Sequence, residues 1–215
     1  MSFQIFYRIS DKNNSKCKLP GASKQRCLNN FLEVFQDNIQ IIADNCSDEL
    51  LNHLKSKNLR IVETNLGNSG SFRHALNLAN DCSNDTLIYF VEDDYLHLPQ
   101  SKELLFEGIE MASYVSLYDH PDKYGSMYNF GETAKIFKTK SIHWKNSTST
   151  CMTFASTVKT LKEDYAVWDA NLRSEIPTDH FAFLALAKSN HRVAVCIPGS
   201  ACHIDLTYSL TTATL

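Results

Sequence analysis

The run Leu87-Ile88-Tyr89-Phe90-Val91 passes without a break into Glu92-Asp93-Asp94, and this junction constrains the fold more than any other feature of the chain. The apolar run is rich in β-branched and aromatic residues. Turn formers Asp81, Ser83, Asn84 and Asp85 precede it, so it reads as a strand buried on both faces. Carboxylates clustered at the end of such a strand repel one another, and burial raises their pKa values. A divalent cation relieves that cost. Mg²⁺ and Mn²⁺ prefer oxygen ligands and often share them between carboxylates and a substrate phosphate. A solvated acidic turn is the alternative reading.

The chain before this junction alternates between two periods. Phe3 to Ile9 reads as a first strand, Cys27 to Phe35 as a helix, and Ile39 to Ala43 as a second strand. Ser47 is a plausible N-cap for a short helix carrying Leu50, Leu51 and Leu54. Leu59 to Val62 reads as a third strand, Glu63 to Ser71 as a polar, glycine-bearing loop, and Phe72 to Ala79 as a helix. Such alternation predicts an α/β fold with a parallel sheet covered by helices. Ligands of such sheets bind at the carboxyl ends of the strands. Here those ends carry Arg8 to Asp11, Asp44-Asn45, Asn65 to Ser71, and Glu92 to Asp94.

The second half is less regular. A helix is expected from Pro99 and Ser101 to about Ala112, and a strand from Tyr114 to Tyr118 ending in Asp119-His120. An antiparallel hairpin within Lys123 to Ser149 and a strand over Cys151 to Ala155 follow. A helix is expected from Thr157 to about Leu172. Another opens at Pro177-Thr178-Asp179, with Phe181, Phe183, Leu184 and Leu186 facing inward. Val193 to Ile197 reads as the last strand and the rest as a surface tail. One domain over residues 1–215 is expected, with no internal repeat.

Composition excludes several classes. A net charge of −3 offers no basic footprint for nucleic acid. No apolar run approaches the length of a transmembrane span. The first residues lack a basic region followed by a long apolar one, so they read as a strand and not a signal peptide. The seven cysteines include no C-x-x-C pair, which points to reduced thiols and a cytoplasmic setting. A P-loop is absent.

Three elements together resemble the GT-A fold glycosyltransferases, most closely the family-2-like group that uses nucleotide-sugar donors. Asp44 ends the second strand, where such enzymes hold the nucleobase. Asn65-Leu66-Gly67-Asn68-Ser69-Gly70-Ser71-Phe72-Arg73 resembles the family's glycine-bearing loop. Glu92-Asp93-Asp94 resembles its D-x-D metal motif, with Glu in the first position. The resemblance covers the first half well and the second loosely. It implies a single GT-A catalytic domain, with a donor half over about residues 1–98 and an acceptor half over about 99–215. It implies a metal-dependent transfer of sugar from a nucleoside diphosphate-sugar, UDP-linked by preference, to the hydroxyl of a glycan or glycoconjugate. The cofactor would be Mn²⁺ or Mg²⁺.

Carried over by position, Asp94 would ligate the metal, with His203 completing its shell. Arg8, Asp44, Asn65, Gly67, Ser71, Arg73, Glu92 and Asp93 would hold the nucleotide-sugar. Asp179 would act as general base in an inverting reaction. Tyr118, Asp119, His120, Tyr124 and Trp144 suit an acceptor pocket, since aromatics commonly line such sites; Trp144 suits a core equally. Asp179 sits near a helix start, where the dipole lowers its pKa, so only burial or substrate charge would restore it as a base. Two rivals remain: a sugar-phosphate nucleotidylyltransferase, although Ile9 to Asn14 lacks the glycines that class needs, and a non-catalytic sugar- or nucleotide-binding module.

Overall fold

The structure is a computed structural model that describes residues 1–11, 18–124, 133–189 and 191–205. Its frame is a nine-stranded sheet. Four parallel strands, β1 (Phe3–Ile9), β2 (Ile39–Asp44), β3 (Arg60–Thr64) and β4 (Leu87–Glu92), make one half in the order β3-β2-β1-β4. Between them run helices α1 (Lys24–Phe35), α2 (Asp48–Ser56) and α3 (Gly67–Asn80). Ser23 caps α1 and Ser47 caps α2 through their side chains, each satisfying an N–H that the helix leaves open. As expected of a sheet covered on both sides, the odd residues of β1 pack with Leu28, Phe31 and Phe35 of α1. The even-numbered Phe6 packs with Phe72, Ala75 and Leu76 of α3 on the other face.

The remaining strands are β5 (Tyr95–His97), β6 (Tyr114–Ser116), β7 (Ile136–Lys138), β8 (His143–Ser147), β9 (Phe154–Thr157), β10 (Val193–Ile197) and β11 (Ala201–His203). Strand β9 lies antiparallel between β4 and β6, and the sheet continues through β10 to the β8–β7 hairpin. Strands β5 and β11 form a separate antiparallel ribbon. Neither was expected from the sequence, because three residues are too few to show a period of two. Helices α4 (Ser101–Ile109), α5 (Val158–Glu163), α6 (Tyr165–Ala170) and α7 (Asp179–Lys188) complete the fold.

Four expectations need correction. Residues 198–205 are not a surface tail after the last strand: they carry β11, and Ser200, Ala201, His203, Ile204 and Asp205 are buried. The loop Glu63 to Ser71 is shorter, because α3 already begins at Gly67, whose φ of +74° only glycine adopts at low cost. The single helix from Thr157 to Leu172 is two helices. The break falls at Asp164, whose carboxylate turns inward to accept from the Tyr114 hydroxyl at 2.7 Å and to meet His191 at 3.1 Å. Phe181 does not face inward: it is 64% exposed, and Leu184 is only partly buried, whereas Phe183 and Leu186 lie in the core as expected, joined by Ala182. The hairpin falls within the expected stretch, although residues 125–132 of that stretch and 206–215 of the tail lie outside the described residues. Among the described residues no helix is long and apolar enough to cross a membrane.

Candidate functional site

The carboxyl ends of β1, β2 and β4 and the start of α3 meet at one edge of the sheet. The register sets Arg8 directly beside Glu92, and the two side chains form an ion pair at 2.9 Å. The other end of the Arg8 guanidinium donates to the Asn68 carbonyl and side chain at 2.9 Å and to the Ser71 hydroxyl at 3.3 Å. Its plane lies against Phe72. Asp93 accepts from the Ser10 N–H at 3.0 Å and pairs with Lys24 at 2.8 Å. Asp94 meets His203 Nε2 at 3.1 Å. Each of the three clustered carboxylates therefore has its own positive or hydrogen-bonding partner, drawn from a different element. These partners offset only part of the charge cost, since burial and mutual repulsion still raise Glu92 and Asp93.

Asp44 is buried, and four donors surround it: Thr64 at 2.8 Å, Leu66 N–H at 2.7 Å, Gly67 N–H at 3.1 Å and Asn45 at 2.7 Å. Ser47 alone caps α2, whereas Asp44 reaches across to the open N–H groups at the start of α3. A carboxylate offers about four lone-pair sites, so these four donors fill it.

Two compartments flank the acidic turn. The first, about 160 Å³, is lined by Arg8, Ser10, Lys24, Asp44, Gly67 and Ser71, with Asn68 and the three carboxylates. The second, about 380 Å³, brings together Tyr95, Tyr118, His120, Ile176, Asp179 and His203. Asn68, Glu92 and Asp94 line both. Burial pushes the Glu92 carboxyl up to about 7, against the pull of Arg8 and with help from the charges of Asp94 and Asp179. Burial also raises Asp93, with Lys24 opposing. Asp179 is raised too, chiefly by burial, and the N–H of His180 at 2.8 Å offsets that only in part. Burial thus acts on Asp179 in the direction opposite to that of the helix dipole. For His203, burial disfavours the charged ring. The hydrogen bond and charge of Asp94 prevail, and its pKa is raised.

Not every expected residue is in the site. Trp144 is fully buried; its indole N–H donates to Thr139 at 2.9 Å, and it packs so closely on Gly108 that a Cβ there would lie 2.8 Å from the ring. It is core. Asp119 is held in a buried ion pair with Lys145 at 2.7 Å and accepts from the Tyr124 hydroxyl, so it braces the β6 end and lines neither compartment. Arg73 points to α6, where it pairs with Asp169 at 3.2 Å and donates to the Leu172 carbonyl at 3.1 Å. Asn65 is exposed and lies outside both compartments. The sequence reading missed Lys24, Tyr95 and Ile176, and it included Asn68 only as part of the glycine-bearing loop. Lys24 carries no local signal, because only the fold returns the start of α1 to the end of β4.

Among the described residues no group of three or more His, Cys, Asp or Glu is arranged to hold a metal. The donors present are a carboxylate and an imidazole, Asp94 and His203, which already meet on the wall of the second compartment. That pair fits Mn²⁺ or Mg²⁺ only as a half-shell, with phosphate and water oxygens supplying the rest.

No protein-family model matches the chain, and no curated protein sequence matches it. Solved structures do. TarS of S. aureus (residues 1–349) superposes with a TM-score of 0.55 at 13% identity, over 91% of this chain and 58% of that one. The structure of GalNAc-T7 with UDP, GalNAc and Mn²⁺ gives 0.64 at 11% identity, over 98% and 44%. The fold is GT-A-like. A CMP-2-keto-3-deoxy-manno-octonic acid synthetase bound to CTP shares this GT-A-like sheet, with a TM-score of 0.56 at 11% identity over 93% of this chain and 92% of that one. The chain thus spans about half the length of the first two and nearly all of the third.

Proposed function

We propose that this chain is a metal-dependent glycosyltransferase that moves a sugar from a nucleoside diphosphate-sugar, UDP-linked by preference, to an acceptor hydroxyl with inversion. The observation that carries the reading is the pair of compartments meeting on Asn68, Glu92 and Asp94. Two substrates held on either side of one acidic turn suit a transfer reaction better than simple binding. The neighbours are transferases of nucleotide-linked substrates, and one was solved with UDP and Mn²⁺.

In this reading residues 1–98 hold the donor and 99–215 the acceptor. Arg8 and Lys24 face the donor's phosphates, while the first N–H groups of α3 stay engaged by Asp44. The first compartment is smaller than an ordinary ligand pocket, so the donor must displace internal pairs such as Lys24–Asp93. Asp94 and His203 hold the metal, which would offset negative charge on the departing diphosphate. Asp179 takes the proton from the acceptor hydroxyl; its raised pKa brings it closer to the working range of a base. Tyr118 and His120 line the acceptor side. A cytoplasmic setting belongs to the same proposal.

The test is thermal shift with UDP, GDP, TDP and CDP, each with and without Mn²⁺, on the wild type and Asp94→Ala. Ligand that binds the native state raises the midpoint by mass action. A metal-dependent shift for one nucleotide, lost in Asp94→Ala, supports the donor site and identifies its base. No shift with any of them sinks the proposal. The second reading, a nucleotidylyltransferase, is favoured by the near-complete coverage of the CTP-bound neighbour. It predicts binding of nucleoside triphosphates in preference to nucleotide-sugars.

A further inference from the structure

A third cavity, larger than either compartment, lies outside both. It measures about 530 Å³ and runs between α1 and the β5–β11 ribbon. One wall is a polar stripe on α1: Ser23, Arg26, Asn29 and Glu33, at a spacing that places them on one helical face. The other wall is the ribbon, whose paired residues alternate between two sides. The Tyr95–His203 pair lines the second compartment, and the adjacent Leu96–Cys202 pair lines the groove. The groove is therefore one strand thickness behind the His203 wall of the proposed acceptor compartment.

Both walls are fixed before any ligand arrives. Asn30 clamps the β5 backbone, donating to the His97 carbonyl at 2.9 Å and accepting its N–H at 2.6 Å. Leu96 packs on Cys27 of α1 at the floor. Ser101 holds Ser200 at 3.0 Å at the far end. The chemistry of the lining is mixed and balanced. Arg26 and Glu33 bring opposite charges to the same stripe, and the amides of Gln25 and Asn29, bonded to each other at 3.0 Å, offer donors and acceptors together. A phosphate gains little there, since Glu33 offsets Arg26, and the lining has no acidic cluster for a cation. Hydroxyl groups both donate and accept, and they match amides and a balanced charge pair. Leu96 and the partly exposed Leu98 supply an apolar patch for the C–H face of a ring.

We infer that this groove is a second carbohydrate-binding site, which takes a neutral sugar unit of an extended glycan. The inference rests on the proposed function only for the role of that glycan as acceptor. Binding itself does not depend on turnover.

The experiment is saturation-transfer NMR on the full chain with cellotriose, maltotriose, chitotriose and mannotriose. Wild type, Asp94→Ala, Arg26→Ala and Asn29→Ala are compared; both groove positions are exposed, so their truncation spares the core. The expected result is a trisaccharide that binds wild type and Asp94→Ala alike and binds either groove variant roughly tenfold more weakly. Absence of binding by all four overturns the inference. So does binding that persists in the groove variants and disappears in Asp94→Ala, because it would belong to the catalytic basin. Groove binding that survives when no nucleotide shifts the melting point would sink the glycosyltransferase reading and leave this site standing.

Discussion

The two compartments differ in how much of their polarity is already spent. On the donor side Arg8 is engaged by Glu92, Asn68 and Ser71, Lys24 by Asp93, and Asp44 by four donors. On the acceptor side Asp94 and His203 meet, the Tyr95 hydroxyl donates to Cys151, Asp179 accepts a local N–H, and Ile176 stands 70% exposed at the rim. The first is small and lined by charges paired with one another; the second is larger, with fewer charges and an apolar residue at its rim. A satisfied polar network gives a unique geometry, and a ligand must replace its bonds one for one. Donor recognition should therefore be exacting and acceptor recognition more permissive.

The largest effects should come from breaking the boundary between the compartments. Asp94→Ala removes one of the two carboxylates that both share and should lower transfer by about 10²-fold or more while abolishing the metal-dependent nucleotide shift. Initial rates and thermal shift together check this. Asp179→Asn touches only the acceptor side. It should lower the rate by roughly 10²- to 10⁴-fold and leave nucleotide binding intact. Its melting temperature at neutral pH should stay level or rise, since burial already penalises the charged form. The pH profile sharpens the point. The Asp179 pKa is raised, and the active base is the deprotonated form, so activity should be gained as pH rises through a value above the ordinary aspartate range. A wild-type acid limb at an unshifted aspartate value would count against Asp179 as the base.

Arg8→Leu tests the charge pairing of the donor side. It leaves Glu92 without its cation, but the pKa of that carboxyl already sits at about 7 and it takes a proton when Arg8 is lost, so a cost of roughly 1–3 kcal/mol is expected. Urea unfolding should register most of that. The smallest effect should follow Arg73→Ala. This cation ties α3 to α6 at a half-exposed site, so roughly 1 kcal/mol or less is expected. Nucleotide affinity should be unchanged, and a clear loss of it would return Arg73 to the site.

Much of the donor half was legible because its signals are local. The apolar runs of β1, β2 and β4, the Ser47 cap and the helical spacing of α1 each need only a few neighbouring residues, and each fell within three residues of its expected place. The acidic turn was legible for the same reason: a buried strand that ends in three charges announces an edge where polar groups gather. The sequence alone thus determined the alternation of elements and the edge at which a ligand site would lie. Only the tertiary structure decided which charges face the cavity and which face one another. Lys24 reaches Asp93 across 69 positions of chain, and His203 reaches Asp94 across a longer one, through strands too short to show a period. Trp144, Asp119 and Arg73 have the chemistry of site residues. Their side chains instead went to the core, to Lys145 and to Asp169, because a buried ring and a paired charge are worth most where the fold brings their partners.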